Sequence, residues 1–116
     1  ATANTTVKKV LSHLNQKISS VGGVIDSWSD GQGNWWRKYA DGWIEQGGRL
    51  SSNGSPISLV FNAPFSTTVY SVGGFAERES NFNNDYAVMV YSRTAAGVTI
   101  EADNETQYIN WFACGY

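Results

Sequence analysis

From Asn34 to the C-terminus the chain is a series of short alternating segments set between turn residues, and this punctuation constrains the fold more than any other feature. Asp41-Gly42 and Asn53-Gly54 are turn dipeptides, and Ala95 to Gly97 is a third turn. Between the turns, Pro56 to Phe61, Thr67 to Phe75, Tyr86 to Ser92, Val98 to Ala102 and Tyr108 to Cys114 each have the length and residue types of a strand. Thr67 to Phe75 and Tyr108 to Cys114 also alternate cleanly between two faces. With the two arms of a hairpin around Asp41-Gly42, they predict an all-β antiparallel β-sandwich of about seven strands over residues 34–116. A chain of 116 residues suits one such domain, and five Trp, six Tyr and five Phe are enough to fill its core.

The hairpin carries the densest information. In the stretch NWWRKYADGWIEQGG (Asn34 to Gly48), Asp41-Gly42 suggests a two-residue type I′ turn. That register sets Tyr39 against Ile44, Lys38 against Glu45, Arg37 against Gln46, Trp36 against Gly47 and Trp35 against Gly48. It gives an opposite-charge cross-strand pair and lays two indoles over two strand glycines. The aromatics are therefore expected to act chiefly as structure.

Residues 1–22 have a different period. Val7, Leu11, Leu14, Ile18 and Val21 are spaced 4, 3, 4 and 3 apart, which places them on one heptad seam. A helix this short is marginal alone, and so narrow a seam calls for partner helices. The mixture of branched residues leans towards three strands, so a parallel homotrimer with a coiled-coil shaft stub is expected. One amphipathic helix packed on its own domain is the alternative. Residues 23–33 read as a linker. The chain opens at Ala1 without Met and reads as a fragment of something longer or a processed product.

With those residues in view, the pair of segments WWRKYADGWIEQGG and INWFACGY resembles the C-terminal domain of bacteriophage and prophage tail fibres. The family pattern is an aromatic, R-K-x-x-DGWIEQGG, a β domain and a closing W-[YF]-A-C-G-Y. The resemblance is close at both ends of 34–116, while residues 51–107 follow only the general pattern. It implies a trimeric fibre tip on a virion that recognises a receptor on the bacterial surface, either lipopolysaccharide glycan or an outer-membrane protein. The framework motifs hold the fold and assign no ligand contacts.

Other classes fit poorly. A net charge of -2 offers no long-range attraction to phosphate, so nucleic acid is not an expected partner. No apolar run approaches the ~18 residues of a membrane span. The lone Cys114 forms no internal disulfide and suits a small core role. A Ser-His-Asp triad would have to use His13, the chain's one His, from the heptad segment. Glu101, Asp103 and Glu105 alternate, as do Glu77 and Glu79, which leaves a small glycan-degrading depolymerase as the alternative function. No loop has EF-hand spacing, and no metal or cofactor is expected. Sequons at Asn4, Asn53 and Asn104 would suit a secreted lectin, but polar sequences generate such triplets by chance.

The candidate receptor site is the long polar stretch Ala76 to Asp85, since hairpin loops usually take about 2–5 residues and extra length is often functional. It offers Glu77, Arg78, Glu79, Asn81, Phe82, Asn83, Asn84 and Asp85. Phe82 suits stacking on a sugar ring, with Arg78 and the amides as directional donors. The rival location is the set of turns at Asp41-Gly42, Asn62 to Ser66 and Arg93 to Gly97, with Asp41, Asn62, Arg93 and Thr94 as candidates. Strict antiparallel order gathers these turns at one end. That end lies opposite the incoming helix, unless residues 23–33 run the length of the domain and reverse the polarity.

Overall fold

A computed structural model describes residues 6–12, 23–78 and 88–116. Among these residues eight strands follow one another: β1 (Val24–Ser29), β2 (Trp35–Tyr39), β3 (Ile44–Ser51), β4 (Ile57–Val60), β5 (Tyr70–Glu77), β6 (Met89–Thr94), β7 (Gly97–Glu101) and β8 (Tyr108–Gly115). They form a five-stranded sheet in the order β1-β2-β3-β8-β5 and a three-stranded sheet in the order β4-β7-β6. Every pairing is antiparallel. The all-β antiparallel expectation is met, with one strand more than the sequence suggested. Residues 6–12 form a short helix on which Val7 is 56% and Leu11 60% exposed. The other seam positions, Leu14, Ile18 and Val21, lie outside the described residues.

The extra strand is β1, inside the stretch read as a linker. It pairs with β2 from Val24↔Tyr39 to Ser29↔Trp35, with a bulge between Val24 and Asp26. All six of its side chains are exposed, so it carries no burial pattern to reveal it in sequence.

The hairpin register also differs from expectation, by one residue. Trp35 faces Gly47, Trp36 faces Gln46, Arg37 faces Glu45 and Lys38 faces Ile44. The cause is the turn. Gly42 has φ 94°, whereas Asp41 keeps a negative φ. The Asp41 carboxylate accepts from the Trp43 N–H at 3.0 Å, and the Gly42 N–H donates to the Tyr39 carbonyl at 3.0 Å. This is a three-residue loop with one left-handed glycine, not the two-residue turn that needs two positive φ angles. The indole-over-glycine arrangement survives with its partners shifted. A Cβ on Gly47 would sit 3.0 Å from the Trp35 Nε1, and one on Gly48 would sit 2.7 Å from the Trp111 Nε1.

The two sheets share one core. Ile44, Ile109, Trp111, Ala113 and Tyr70 come from the larger sheet, and Leu59, Val98 and Ile100 from the smaller, with Phe61, Ala63 and Phe65 arriving from the loop after β4. Phe61 packs edge-on against Phe65 and Tyr70, at centroid distances of 5.2 Å each. One polar side chain is locked into this core. Gln46, 1% exposed, donates from Nε2 to the Ala63 carbonyl at 2.7 Å, and its Oε1 accepts from the Ala63 N–H at 3.2 Å. That pair stitches β3 to the β4–β5 loop and satisfies two buried backbone groups at once.

Topology sorts the loops between two ends. The turns at Asp41-Gly42, Asn62 to Ser66 and Arg93 to Gly97 do gather at one end. Phe65 N–H reaches the Ala95 carbonyl at 2.9 Å, Ser66 N–H reaches the Tyr116 carbonyl at 2.8 Å, and the Trp43 and Tyr116 rings meet at 5.1 Å. However, Ala40 N–H donates to the Gly23 carbonyl at 2.9 Å, so the chain enters the β domain at this same end. Running β1 alongside β2 reverses the polarity. The far end holds loop 30–34, loop 52–56, the exit from β5 at Arg78 and loop 102–107. There Ser52 N–H donates to the Gln107 carbonyl at 2.8 Å and Gln107 N–H to the Glu77 carbonyl at 3.0 Å.

Candidate functional site

The far end is built around two arginines. Arg49, on β3, pairs with the Glu77 carboxylate at 2.5 Å, and its guanidinium lies 3.7 Å from the centre of the Tyr108 ring. Asn110 Nδ2 donates to the other Glu77 oxygen at 2.9 Å. These three residues sit on neighbouring strands, because Arg49 faces Asn110 and Glu77 faces Tyr108 across the ladders. Arg49 first, and Asn110 after it, hold the Glu77 carboxyl below its ordinary range.

Arg78 follows directly. Its side chain is largely buried and reaches the Asp103 carboxylate at 2.7 Å and the Glu105 carboxylate at 3.0 Å. The other Asp103 oxygen accepts from the Glu105 N–H at 3.1 Å, the Thr106 N–H at 3.0 Å and the Thr106 hydroxyl at 3.0 Å. Asp103 thus shapes loop 102–107 and anchors Arg78 to it. The Arg78 guanidinium is the main reason its carboxyl is held low.

Of the residues expected to meet a receptor, Glu77 and Arg78 are therefore committed to ion pairs within the domain. Glu79, Asn81, Phe82, Asn83, Asn84 and Asp85 lie outside the described residues. The rival turn residues have structural tasks too. Arg93 donates to the carbonyls of Thr68 and Tyr70 and lies over the Tyr70 ring at 4.5 Å. The Thr94 hydroxyl accepts from the N–H groups of Ala96 at 3.2 Å and Gly97 at 3.1 Å, closing the β6–β7 turn. Ser92 has φ 53° at a register shift between Tyr91 and Thr94. This left-handed residue breaks the alternation beside Arg93. Asp41 caps its own turn, and Asn62 is exposed.

The carboxylates that alternate in sequence do not converge. Glu101 accepts from the Tyr91 hydroxyl at 2.7 Å, while Asp103 and Glu105 turn towards Arg78. Among the described residues no group of three metal-ligating side chains comes together.

The two motif segments at the ends of the β domain are neighbours in space. β3 and β8 pair along their whole lengths, from Ile44↔Gly115 to Ser51↔Tyr108. Glu45 accepts from the Tyr39 hydroxyl at 3.0 Å and the Trp43 indole N–H at 3.3 Å. The family described as putative tail fiber protein gp53-like, C-terminal, matches residues 38–116, which include this strand pair.

The chain belongs to that tail-fibre family.

Solved structures agree at the level of fold. An N-truncated R2-type pyocin tail fiber is 23% identical with a TM-score of 0.57, over 85% of this chain and 41% of that one. A P. aeruginosa R2 pyocin fiber gives the same identity and TM-score over 85% of this chain and 28% of its own. An N-truncated R1-type pyocin tail fiber is 19% identical with a TM-score of 0.54, covering 88% of this chain and 95% of that one. The tail-fibre domain thus spans less than half of either R2 structure. No curated protein matches it. Its signature residues are framework: Gln46 locks a loop, Gly47 and Gly48 make room for indoles, and Tyr116 closes the turn cluster through its carbonyl and ring.

Sequence reasoning missed two parts of this end. β1 lacked a burial signal, and the Arg49–Glu77–Asn110 arrangement joins residues far apart in the chain. The one clue to the latter was that Arg49 and Asn110 each stand in the first and last strands of the motif pair.

Proposed function

We propose that this domain is the receptor-binding tip of a tail fibre, an adhesin that attaches the virion to lipopolysaccharide glycan or an outer-membrane protein. In this reading it works as a homotrimer whose parallel N-terminal helices continue a shaft. The observation that carries the proposal is the polarity set by β1. The chain enters the β domain at Gly23, and the end bearing loops 30–34, 52–56 and 102–107 and the β5 exit lies opposite that entry, which supports a reading in which it faces the cell. The family's tail-fibre identity supports attachment, and three copies of a weak site gain from avidity. Adhesion is also favoured over hydrolysis by the acids themselves. Glu77, Glu101, Asp103 and Glu105, the described acids that alternate in sequence, are each tied to an internal partner, which supports attachment as their setting.

The test is binding of the fluorescently labelled chain to host cells, with light scattering to confirm three times the monomer mass. Gln32→Ala with Asn104→Ala alters exposed positions at the far end, and Asn62→Ala with Val69→Ser alters exposed positions at the Gly23 end. The first pair weakens binding and the second leaves it intact. The reverse result would place the receptor site at the Gly23 end and overturn the polarity. Release of reducing ends from host polysaccharide would favour the depolymerase.

A further inference from the structure

Three of the chain's five Trp residues are spent on the β1–β2 ribbon, at the edge of the larger sheet. Trp111 shows where an indole goes when it serves the core, at 5% exposure. Trp28 is instead 39% exposed, and Trp35 and Trp36 are half-buried. One exposed and two half-buried indoles gathered on one ribbon are an informative departure. They border a groove of about 360 Å³ lined by Ser27, Trp28, Ser29, Trp35, Trp36 and Arg37.

The register explains the groove. Ser27 faces Arg37 and Ser29 faces Trp35, so two small hydroxyl residues on the edge strand stand beside two tall side chains. Trp28 faces Trp36 on the opposite side of the ribbon. Two of the indoles are held in place before any ligand arrives. Trp35 lies over Gly47, within 3.2 Å of where a Cβ would be, and packs against Phe112 at 6.2 Å with the rings tilted by 43°. Trp36 packs against the core and receives the Lys38 ammonium at 4.9 Å. A rigid aromatic loses little conformational entropy on binding. Among the described residues no strand pairs with the outer side of β1, so the groove is open there along the ribbon to a chain-like ligand.

We propose that this groove binds pyranose rings of a bacterial surface polysaccharide. The faces of the sugar stack on indole, and its hydroxyls exchange hydrogen bonds with the Ser27 and Ser29 hydroxyls and the Arg37 guanidinium. The chemistry fits on three counts. The site mixes flat apolar surface with donors and acceptors. It holds one positive charge and no acid among its lining residues, so hydroxyl-rich neutral or uronic sugars are both admitted. Its volume lies at the lower end of the range for small-ligand sites, about 300–1,000 Å³. The groove borders loop 30–34, at the end that points away from Gly23. The inference rests on the adhesin reading above and deepens it by naming the ligand class and a place outside the polar segment that follows Arg78 in sequence.

The experiment uses the full chain and a bacterial strain that it labels. Two probes are prepared from that strain, the polysaccharide of its lipopolysaccharide freed of lipid and its capsular polysaccharide, and each is titrated by calorimetry as short fragments. One of them binds. Ser29→Leu, which fills the groove from an exposed position, weakens that binding by at least about tenfold, as does Trp35→Ala. Ser29→Leu gives up only the exposed bond from the Gly31 N–H to the Ser29 hydroxyl at 3.2 Å, so its melting temperature stays close to the parent's and its oligomeric mass is the same, which separates site loss from unfolding. Ser29→Leu with unchanged affinity overturns the inference, as does a chain that labels cells while neither polysaccharide binds. The latter result leaves the adhesin reading standing and points to a protein receptor. Dissociation of the oligomer by Ser29→Leu would instead assign the groove to contacts between copies of the chain and would equally overturn it. Failure of the chain to label any cell is the separate failure of the adhesin reading.

Discussion

Gln46→Leu isolates one interaction of this fold. The substitution keeps the side chain roughly the same size, so the cavity contribution is small. What it removes are both hydrogen bonds to Ala63, at 2.7 and 3.2 Å, in a place where Gln46 is 1% and Ala63 1% exposed. A carbonyl and an N–H are left buried without partners. At about 1–3 kcal/mol for each orphaned group, less what leucine gains from burial, the loss comes to about 2–4 kcal/mol. In a domain of this size the melting temperature then falls by more than about 10 °C. Urea unfolding followed by tryptophan fluorescence measures it, at one fixed protein concentration because association contributes to apparent stability. Gln46→Glu sharpens the argument. Ionised, it keeps an acceptor for the Ala63 N–H but sets a buried charge against the Ala63 carbonyl. Protonated, it regains a donor. That variant is therefore more destabilised at pH 7 than at pH 4, relative to the parent at the same pH. A Gln46→Leu protein within about 0.5 kcal/mol of the parent would refute the reasoning, since that is the scatter of ordinary surface changes.

Gly47→Val introduces a Cβ 2.8 Å from the Trp111 carbonyl and 3.0 Å from the Trp35 Nε1, and overpacking of this kind costs about 1–3 kcal/mol, read from the same urea titration. Glu77 and Asp103 have folded-state carboxyls held low by Arg49 and Arg78, so their contribution is complete above the ordinary carboxylate pKa of about 4 and is lost as pH falls through the lower folded-state values. Chemical denaturation at pH 7 and pH 3 should therefore show a smaller acid-induced loss in Arg49→Met than in the parent, and an equal loss would remove these ion pairs from the account. Burial pushes the Cys114 thiol up, so iodoacetamide at pH 8 should modify it several-fold more slowly in the folded domain than in urea, as mass spectrometry can follow.

Most of the fold was legible because its strands are half-buried and therefore patterned. β8 shows this best, with Ile109, Trp111 and Ala113 buried in alternation with more exposed neighbours. β1 was not legible for the converse reason: with every side chain exposed, Val24 to Ser29 carries no alternation of buried and exposed residues. The hairpin register failed over a single side chain. Asp-Gly suits both a two-residue and a three-residue loop, and the choice fell to the Asp41 carboxylate bonding the Trp43 N–H. Sequence could place Glu77 and Arg78 in a long polar segment, but their partners Arg49, Asn110 and Asp103 arrive from other strands and loops. Long-range ion pairing leaves no periodic trace. Trp35, Trp36 and Trp43 were expected to serve chiefly as structure, and each packs within the domain, against Phe112, the core and Tyr116 respectively.

The direction of β1 has a mechanical consequence. In the tip arrangement proposed above, the pull on the domain is applied at Gly23 and resisted at the far end, so the load runs along the strand axis. β1 begins at the loaded end and runs away from it, hydrogen-bonded to β2 from Val24↔Tyr39 to Ser29↔Trp35. Pulling on it drags the strand lengthwise past its neighbour, and the rungs of that ladder must yield nearly together. Had the chain entered at the opposite end and doubled back, the same pull would peel the strand away one rung at a time, at far lower force. An edge strand that buries no side chain adds little to equilibrium stability, yet under a load applied at Gly23 along the strand axis it acts as a shear clamp.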